Sequence, residues 1–404
     1  MPSPTSSSIA LVTPTATNPP GPHATPTIPV MLPRQFPPSE FYPRFWSPPP
    51  DPDKPACPYL AGFAVEIKRH TPPPPFGDPH YGPGAWKERS DVDIKSVTQT
   101  ELVLAYPPLE CQNTAISSSP ATTATLTVLK TLAVEDGRGA QLVLCSVTPS
   151  PWPQGPDEVV AKIFDPLYYS FESPHASHEA DDVAWFADVH YTHEAAALHH
   201  LDEMRKGGRT GLSAPEYFGS WTFTLPITHA GQRVHRSVRL VLMENIEGCS
   251  MRDVCDDPAL VSQYSEPDRL DVLAMILDSS VRQRHAGLDQ RDLAPRNIIL
   301  RPLSTTLPSG SNERPLSRPV IVDYNIAVVF ELSRHGKRPY QLENLPPNPM
   351  KIFWGTSFGE FEGWVPSEWN SSYNAGQRWL KERFGGEAAS QYAPVDTELE
   401  FSEY

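Results

Sequence analysis

The chain has 404 residues, 48 of them proline, and a formal net charge of −15. An acidic chain has no overall field to attract nucleic acid, which excludes that class of partner. No run of about 18 apolar residues occurs, so no membrane span is expected, and five cysteines without a CxxC pair or a Cys/His ladder argue against a disulfide frame and a structural zinc.

Residues 1–58 are rich in Pro, Ser and Thr and poor in periodic apolar positions. Such a segment buries too little to offset its chain entropy, so it is expected to be a disordered tail that can dock as a polyproline ligand. The start MPSPTSSSIALVTPTA has no charged stretch before a long apolar run. It is not expected to act as a secretory signal. With the unpaired thiols, this places the protein inside the cell, in cytoplasm or nucleus.

Residues 59–120 form an extension whose structure the pattern leaves open. AGFAVEIKRH and DIKSVTQTELVLAY alternate as strands do, with the loop HTPPPPFGDPHYGPG between them. From Ala124 the signal sharpens. TLTVLKTLAV and AQLVLCSV flank the turn EDGRG and predict a hairpin, and EVVAKIFD predicts a third strand. Residues 170–187 read as a polar insertion. HYTHEAAALHHLDEMRKGG then predicts a helix with Glu194, Leu198 and Leu201 on one face, stopped at Gly207 and Gly208.

SVRLVLMENIEGCSM reads as a buried strand running into a glycine-containing link. DRLDVLAMILDSSVRQRHAG predicts an amphipathic helix burying Leu270, Leu273, Ile276, Leu277 and Val281, and ending at Gly287. The loop HAGLDQRDLAPRN follows, then the short strand NIIL and the breaker-rich loop PLSTTLPSGSNERPLSR. PVIVDYNIAVVF reads as one more buried strand, with Asp323 at its end. QRWLKERF is helical, and residues 387–404 read as a frayed acidic tail. The whole is α+β, with a β-rich part over 121–247 and a mainly helical part over 248–386.

Phosphoryl transfer needs held phosphates, metal ions and a group that takes the incoming hydroxyl proton. Four places supply such residues in order. They are Lys162 on a short strand, Glu194 on the next helix, Asp292 with Asn297 five residues on, and Asp323 after an apolar strand. A carboxylate at the end of a buried strand is costly unless it is bonded or holds a metal.

These residues carry a resemblance to the protein-kinase superfamily, and in detail to the fungal-type protein-kinase-like family. VVAK resembles the lysine strand, LVLMENIEG the fifth strand and hinge, HAGLDQRDLAPRN the catalytic loop, and VIVDYN the metal-binding DFG motif. The match covers about residues 124–330. It implies a protein-kinase-like two-lobed fold, with a β-rich small lobe and a shortened, mainly helical large lobe. It implies ATP and Mg²⁺ as cofactors and transfer of the γ-phosphoryl to a protein hydroxyl, on Ser or Thr rather than Tyr.

By the same resemblance, Lys162 would bind phosphates and Glu194 would pair with it. Asp292 would be the catalytic base, and Asn297 and Asp323 would hold Mg²⁺. Glu244 and Ile246 would offer backbone groups to adenine behind Met243, and Arg296 would neutralise charge on the transferred group. Gly137 and Gly139 would cradle phosphates through their backbone N–H groups.

The chain departs from the pattern in four places. Its glycine turn is short, Gln290 stands where a histidine is usual, Asn325 replaces the glycine of DFG, and no APE motif follows. Two alternatives therefore stay open. One is a pseudokinase or scaffold that binds nucleotide or a partner without catalysis. The other is a small-molecule kinase of the aminoglycoside- or choline-kinase kind.

Overall fold

The alternating stretches of the sequence become the walls of a closed, antiparallel six-stranded barrel. The computed structural model describes residues 46–77, 79–82, 92–111, 122–152, 155–173, 179–302, 317–370, 372–395 and 399–401. All of them fall in the unit Phe45–Tyr404. The disorder expected of residues 1–45 lies outside the described residues.

The barrel strands are β1 (Ala64–Arg69), β2 (Thr123–Ala133), β3 (Gln141–Thr148), β4 (Val159–Phe164), β5 (Tyr217–His229) and β6 (Gln232–Glu244). Their spatial order is β1-β2-β3-β4-β6-β5. The β2–β3 hairpin and β4 stand where the sequence predicts them. Strand β1 comes from the extension that the pattern left open. It pairs with β2 and reaches β5 at Lys68 and Arg69, which closes the ring. Closure removes the exposed sheet edges that an open sheet would present. The interior is filled by Ile67, Leu126, Val143, Ile163, Trp221 and Leu240, all fully buried. Burying each aliphatic side chain of this kind contributes about 1.5–3 kcal/mol.

Several expectations need correction. Disorder to residue 58 does not hold beyond residue 45. Lys54 forms an ion pair with Asp136 at 2.7 Å, and the Tyr168 hydroxyl donates to the carbonyls of Pro55 and Ala56. The strand expected from DIKSVTQTELVLAY is the helix α1 (Gln99–Ala105). Thr98 and Glu101 form a reciprocal capping box there, and that local signal outweighs the alternation. The insertion ends before residue 187, because the helix α2 begins at Val183 and runs to Lys206 with Asp182 as its cap. Strand β5 has no counterpart in the sequence reading. Pro226 interrupts its apolar run, and the hairpin to β6 turns on Ala230 and Gly231, both with positive φ.

The mainly helical region contains β7 (Cys249–Ser250), α3 (Met251–Asp256), α4 (Pro258–Val261), α5 (Glu266–Ala286), β8 (Leu288–Asp289), β9 (Ile298–Arg301), β10 (Arg318–Ile321), β11 (Val328–Val329), α6 (Pro349–Phe353) and α7 (Tyr373–Phe384). Helix α5 starts on a Ser265–Asp268 capping box and ends at Gly287, whose φ of 106° reverses the chain. Leu273, Ile276, Leu277 and Val281 are buried as its period predicts. The expected single strand PVIVDYNIAVVF is split. β10 pairs with β9, β11 pairs with β8, and Asp323 sits between them with φ of 61°. Nor is the acidic tail frayed through its described part. Tyr392 is buried, and its hydroxyl donates to Asp278 at 2.7 Å.

A third apolar cluster joins the barrel to the helices. It packs Val160 and Met243 against Tyr191, Leu198, Leu288, Ile321 and Tyr324. Met243, expected behind a nucleotide, thus lies at the seam between the two parts. No helix among the described residues is long and apolar enough to cross a membrane.

Candidate active site

Strand β4 turns Lys162 across the barrel wall, between Leu142 of β3 and Val241 of β6. Its ammonium is buried and meets two carboxylates, each at 2.7 Å. One is Glu194 of α2 and the other is Asp323. Glu194 lies one helical turn before Leu198, and the buried stripe that aims Leu198 inward aims Glu194 as well. The backbone N–H of Tyr324 donates to the same Glu194 oxygen at 2.8 Å. Strand, helix and the turn after β10 therefore converge on one lysine.

The electrostatics follow from that geometry. Burial works to lower the Lys162 pKa, but Asp323 and Glu194 outweigh it and hold the ammonium above its ordinary value. Burial pushes the Glu194 carboxyl up, and Lys162 reverses only part of that. Burial would raise Asp323 too, yet Lys162 outweighs it and holds this carboxyl below its usual range. One lysine between two carboxylates leaves a net charge of −1, which favours a further cation. Asp323 is the partly exposed member of the three. Its left-handed backbone is strained for a non-glycine residue and sets the direction of its carboxylate.

The loop after β8 is tied to this turn by backbone and side-chain bonds. Gln290 donates to the carbonyl of Asp323 at 2.8 Å and accepts from the Asp292 N–H at 2.8 Å. Gln290 thus spans the two loops, a bridge that needs both ends of an amide. The N–H of Val322 donates to the carbonyl of Asn297 at 2.9 Å. Asn297 is buried and donates to Asp292 Oδ2 at 2.8 Å. Arg296 donates to Asp292 Oδ1 at 2.5 Å and also meets Glu360 at 3.4 Å. Asp292 is thereby oriented through both oxygens while staying partly exposed.

Lys162, Glu194 and Asp323 are in direct contact, and Asp292, Asn297 and Arg296 form a second constellation linked to them by Gln290. The glycine turn departs from expectation. The N–H groups of Gly137 and Gly139 donate to the carbonyl of Tyr168 at 3.1 and 3.3 Å. Gln141 closes the turn from within, bonding Glu135 and Gly139. Donors already engaged do not cradle a phosphate, so those two glycines shape a hairpin. At the expected adenine edge, the N–H of Glu244 donates to Glu216, and its side chain pairs with Arg301. Ile246 is buried beside that strand end.

His190, near the site, escaped the sequence reading. It stands four residues before Glu194, so the helical period could have placed it on the same face. Burial first, then the Lys162 charge, pushes its pKa down from 6.5 to about 4. Burial, with Arg239 beside it, holds His70 at about 4 as well, although Glu110 pulls the other way. Unfolded imidazoles take protons near 6.5 and these only near 4, so the unfolded state binds more protons between those values. The contribution of these two histidines to stability should be level above pH 6.5 and fall as pH drops toward 4. Denaturant titrations at pH 7.5 and 5 check this, since a paired His70→Gln and His190→Gln variant should lose part of the slope. An unchanged slope in the variant would assign the acid sensitivity elsewhere.

Among the described residues, no group of three or more His, Cys, Asp or Glu is placed to hold a metal. No family model matches the chain, and no curated protein matches it significantly. Among solved structures the chain is similar to vaccinia related kinase 3, with a TM-score of 0.30 and 15% identity. That likeness covers 56% of this chain and 56% of the other, so the chain spans little more than half of that structure's length.

Proposed function

We propose that this protein is an ATP-dependent phosphotransferase of the protein-kinase kind, acting on a protein hydroxyl of Ser or Thr. One observation carries the reading. A buried lysine is gripped by Glu194 and Asp323, and Gln290 links that grip to the loop bearing Asp292 and Asn297. Apolar side chains of similar size often stabilise as well as a buried ion pair, so stability alone gives little reason for this grip, and its Asp323 end is partly exposed.

The residues present fit a magnesium–nucleotide. Asp323 offers a partly exposed carboxylate and Asn297 an amide oxygen, hard oxygen donors of the type Mg²⁺ takes when substrate phosphates and water complete its shell. Bound there, Mg²⁺ would supply charge neutralisation between the phosphates. Lys162, positioned by Glu194, would hold phosphate oxygens. Asp292 would accept the proton of the attacking hydroxyl, with Asn297 and Arg296 fixing its carboxylate.

The wild-type chain incubated with labelled ATP, Mg²⁺ and a generic protein acceptor tests this. Label transfer is expected, with a melting temperature raised by Mg·ATP. No transfer and no stabilisation would overturn the reading. Stabilisation without transfer would favour a nucleotide-binding scaffold, the reading that the engaged N–H groups of Gly137 and Gly139 support.

A further inference from the structure

The sequence left residues 59–120 as an extension of open role, and one stretch of it touches both halves of the candidate site. Residues 72–75 are four successive prolines, whose rings fix φ and stiffen the chain that leads into Phe76. Phe76 is buried, and its carbonyl accepts from Nε2 of His193 at 2.8 Å. His193 is itself buried and precedes Glu194 on α2. Gly77 has φ of 80°, and a side-chain carbon added there would lie 2.7 Å from both Trp185 and Val189 of α2. The stretch therefore lies directly on the helix that carries Glu194.

The same stretch reaches the turn after Asp323. It closes on itself where the N–H of Gly77 donates to the carbonyl of Gly82 at 2.8 Å. Tyr81 stands just before that point. Its ring packs edge-on against the His193 imidazole, with centroids 4.8 Å apart. Its hydroxyl accepts from the N–H of Val329 at 2.6 Å and donates to the carbonyl of Ala327 at 3.2 Å. The N–H of Ala327 donates to the carbonyl of Tyr324 at 3.0 Å, and the N–H of Tyr324 donates to the Glu194 carboxylate at 2.8 Å. A run of hydrogen bonds therefore leads from the Tyr81 hydroxyl, through Ala327 and Tyr324, to Glu194. A further bond, from the N–H of Arg334 to the carbonyl of His80 at 2.8 Å, fastens the stretch beyond β11.

We infer that Tyr81 is a positioning residue for phosphoryl transfer, which holds α2 and the Asp323 turn at one mutual setting so that Lys162 stays gripped by Glu194 and Asp323. This rests on the phosphotransferase reading and deepens it, because it makes the extension part of the site. Asp323 has φ of 61°, a strained setting that persists only where its surroundings over-determine it. Tyr81 supplies one of those restraints from outside the segments that carry the chemistry. Without its hydroxyl, Val329 and Ala327 each lose a bond, and the turn that aims the Asp323 carboxylate is freed.

The test compares the full-length wild type with two variants. Tyr81→Phe keeps the ring on His193 and removes only the hydroxyl. Tyr392→Phe removes a hydroxyl that donates to Asp278 on α5, outside the site. Hydrogen exchange resolved to single amides is measured without ligand. In Tyr81→Phe, exchange should quicken about tenfold at Tyr324 and Ala327 as well as at Val329, the equivalent of one hydrogen bond. Transfer from labelled ATP to a generic protein acceptor is then followed with Mg²⁺ present. Its kcat should fall about tenfold while the KM for the acceptor stays constant, because alignment and not acceptor binding is lost. Tyr392→Phe should leave these three amides and kcat at wild-type values. Faster exchange at Val329 alone, or a wild-type kcat in Tyr81→Phe, would overturn the inference while leaving the phosphotransferase reading in place. So would equal losses in Tyr392→Phe, since general destabilisation would then account for both. A wild type that transfers no phosphoryl overturns the phosphotransferase reading and takes this inference with it.

Discussion

Asp292→Asn is expected to lower phosphoryl transfer by about 10²–10⁴-fold, the usual contribution of a positioned general base. The substitution is close to isosteric, so its effect should be chemical. The backbone of residue 292 is held from outside its own carboxylate, by Gln290 on its N–H and by Asn297 on its carbonyl. The amide NH₂ cannot accept, so one hydrogen bond that the carboxylate took from Arg296 or Asn297 is lost, at a partly exposed position where such a loss is small. Nucleotide binding should persist, because Lys162, Glu194 and Asp323 are untouched. Single-turnover transfer from labelled ATP, with Mg·ATP affinity measured alongside, separates the two effects. Transfer at the wild-type rate would remove Asp292 from the role of base. Loss of both transfer and affinity would make it a binding residue.

The second large effect concerns the fold. Asp165→Ala should destabilise the protein by roughly 3–5 kcal/mol, because it strands a buried charge. Asp165 is fully buried, accepts from Arg236 at 2.5 Å and from the Tyr59 hydroxyl at 2.5 Å, and caps the turn at Leu167. Arg236 is buried as well. Burial works against its charge, and Asp165 more than restores it. A whole domain is stable by only about 5–15 kcal/mol, so the single variant should sit near unfolding. Adding Arg236→Met should recover much of the loss, since an apolar pair of similar volume often matches a buried ion pair. Denaturant unfolding of the two single variants and the double variant gives the coupling energy. If Asp165→Ala alone costs less than about 1 kcal/mol, or if the second change gives no rescue, this pair does not hold the barrel interior.

Asp165 also bears on the glycine turn, because the turn it caps carries Tyr168, whose carbonyl takes the N–H groups of Gly137 and Gly139. Nothing in DPLYYS announced that role. An aspartate before Pro-Leu reads as a local cap, and only the barrel places Arg236 and Tyr59 against it. Tyr81 is similar. Its partners His193, Ala327 and Val329 are remote in the chain, and no short-range pattern relates them. By contrast, Lys162 and Glu194 were legible because each sits in a local element whose period aims it. Lys162 occupies one face of a strand, and Glu194 shares the helical stripe of Leu198 and Leu201. Asp292 and Asn297 were legible for a simpler reason. Asn297 lies five residues after Asp292, the span of a single turn, and the side chains meet across it.

The glycine turn shows where local pattern misleads. Gly137 and Gly139 both have positive φ, as a turn of that composition requires. Composition could say that the backbone bends there, but not where its N–H groups point. Tyr168 decides that, from a strand and a turn further along the chain.

Sequence alone determined the local elements of this protein and the residue types that carry charge within them. Helical and strand periods, capping boxes and glycine stops act within a few residues, so they can be read without knowing what lies across the core. Tertiary structure decided the rest. It closed the barrel with β1, from an extension whose role the pattern left open, and with β5, which the pattern did not announce, broke one expected strand at Asp323, and spent the glycine turn's donors on Tyr168. Each of these outcomes is a competition for hydrogen bonds and buried area between segments far apart in the chain. Which segment wins depends on distances that exist only once the chain has folded.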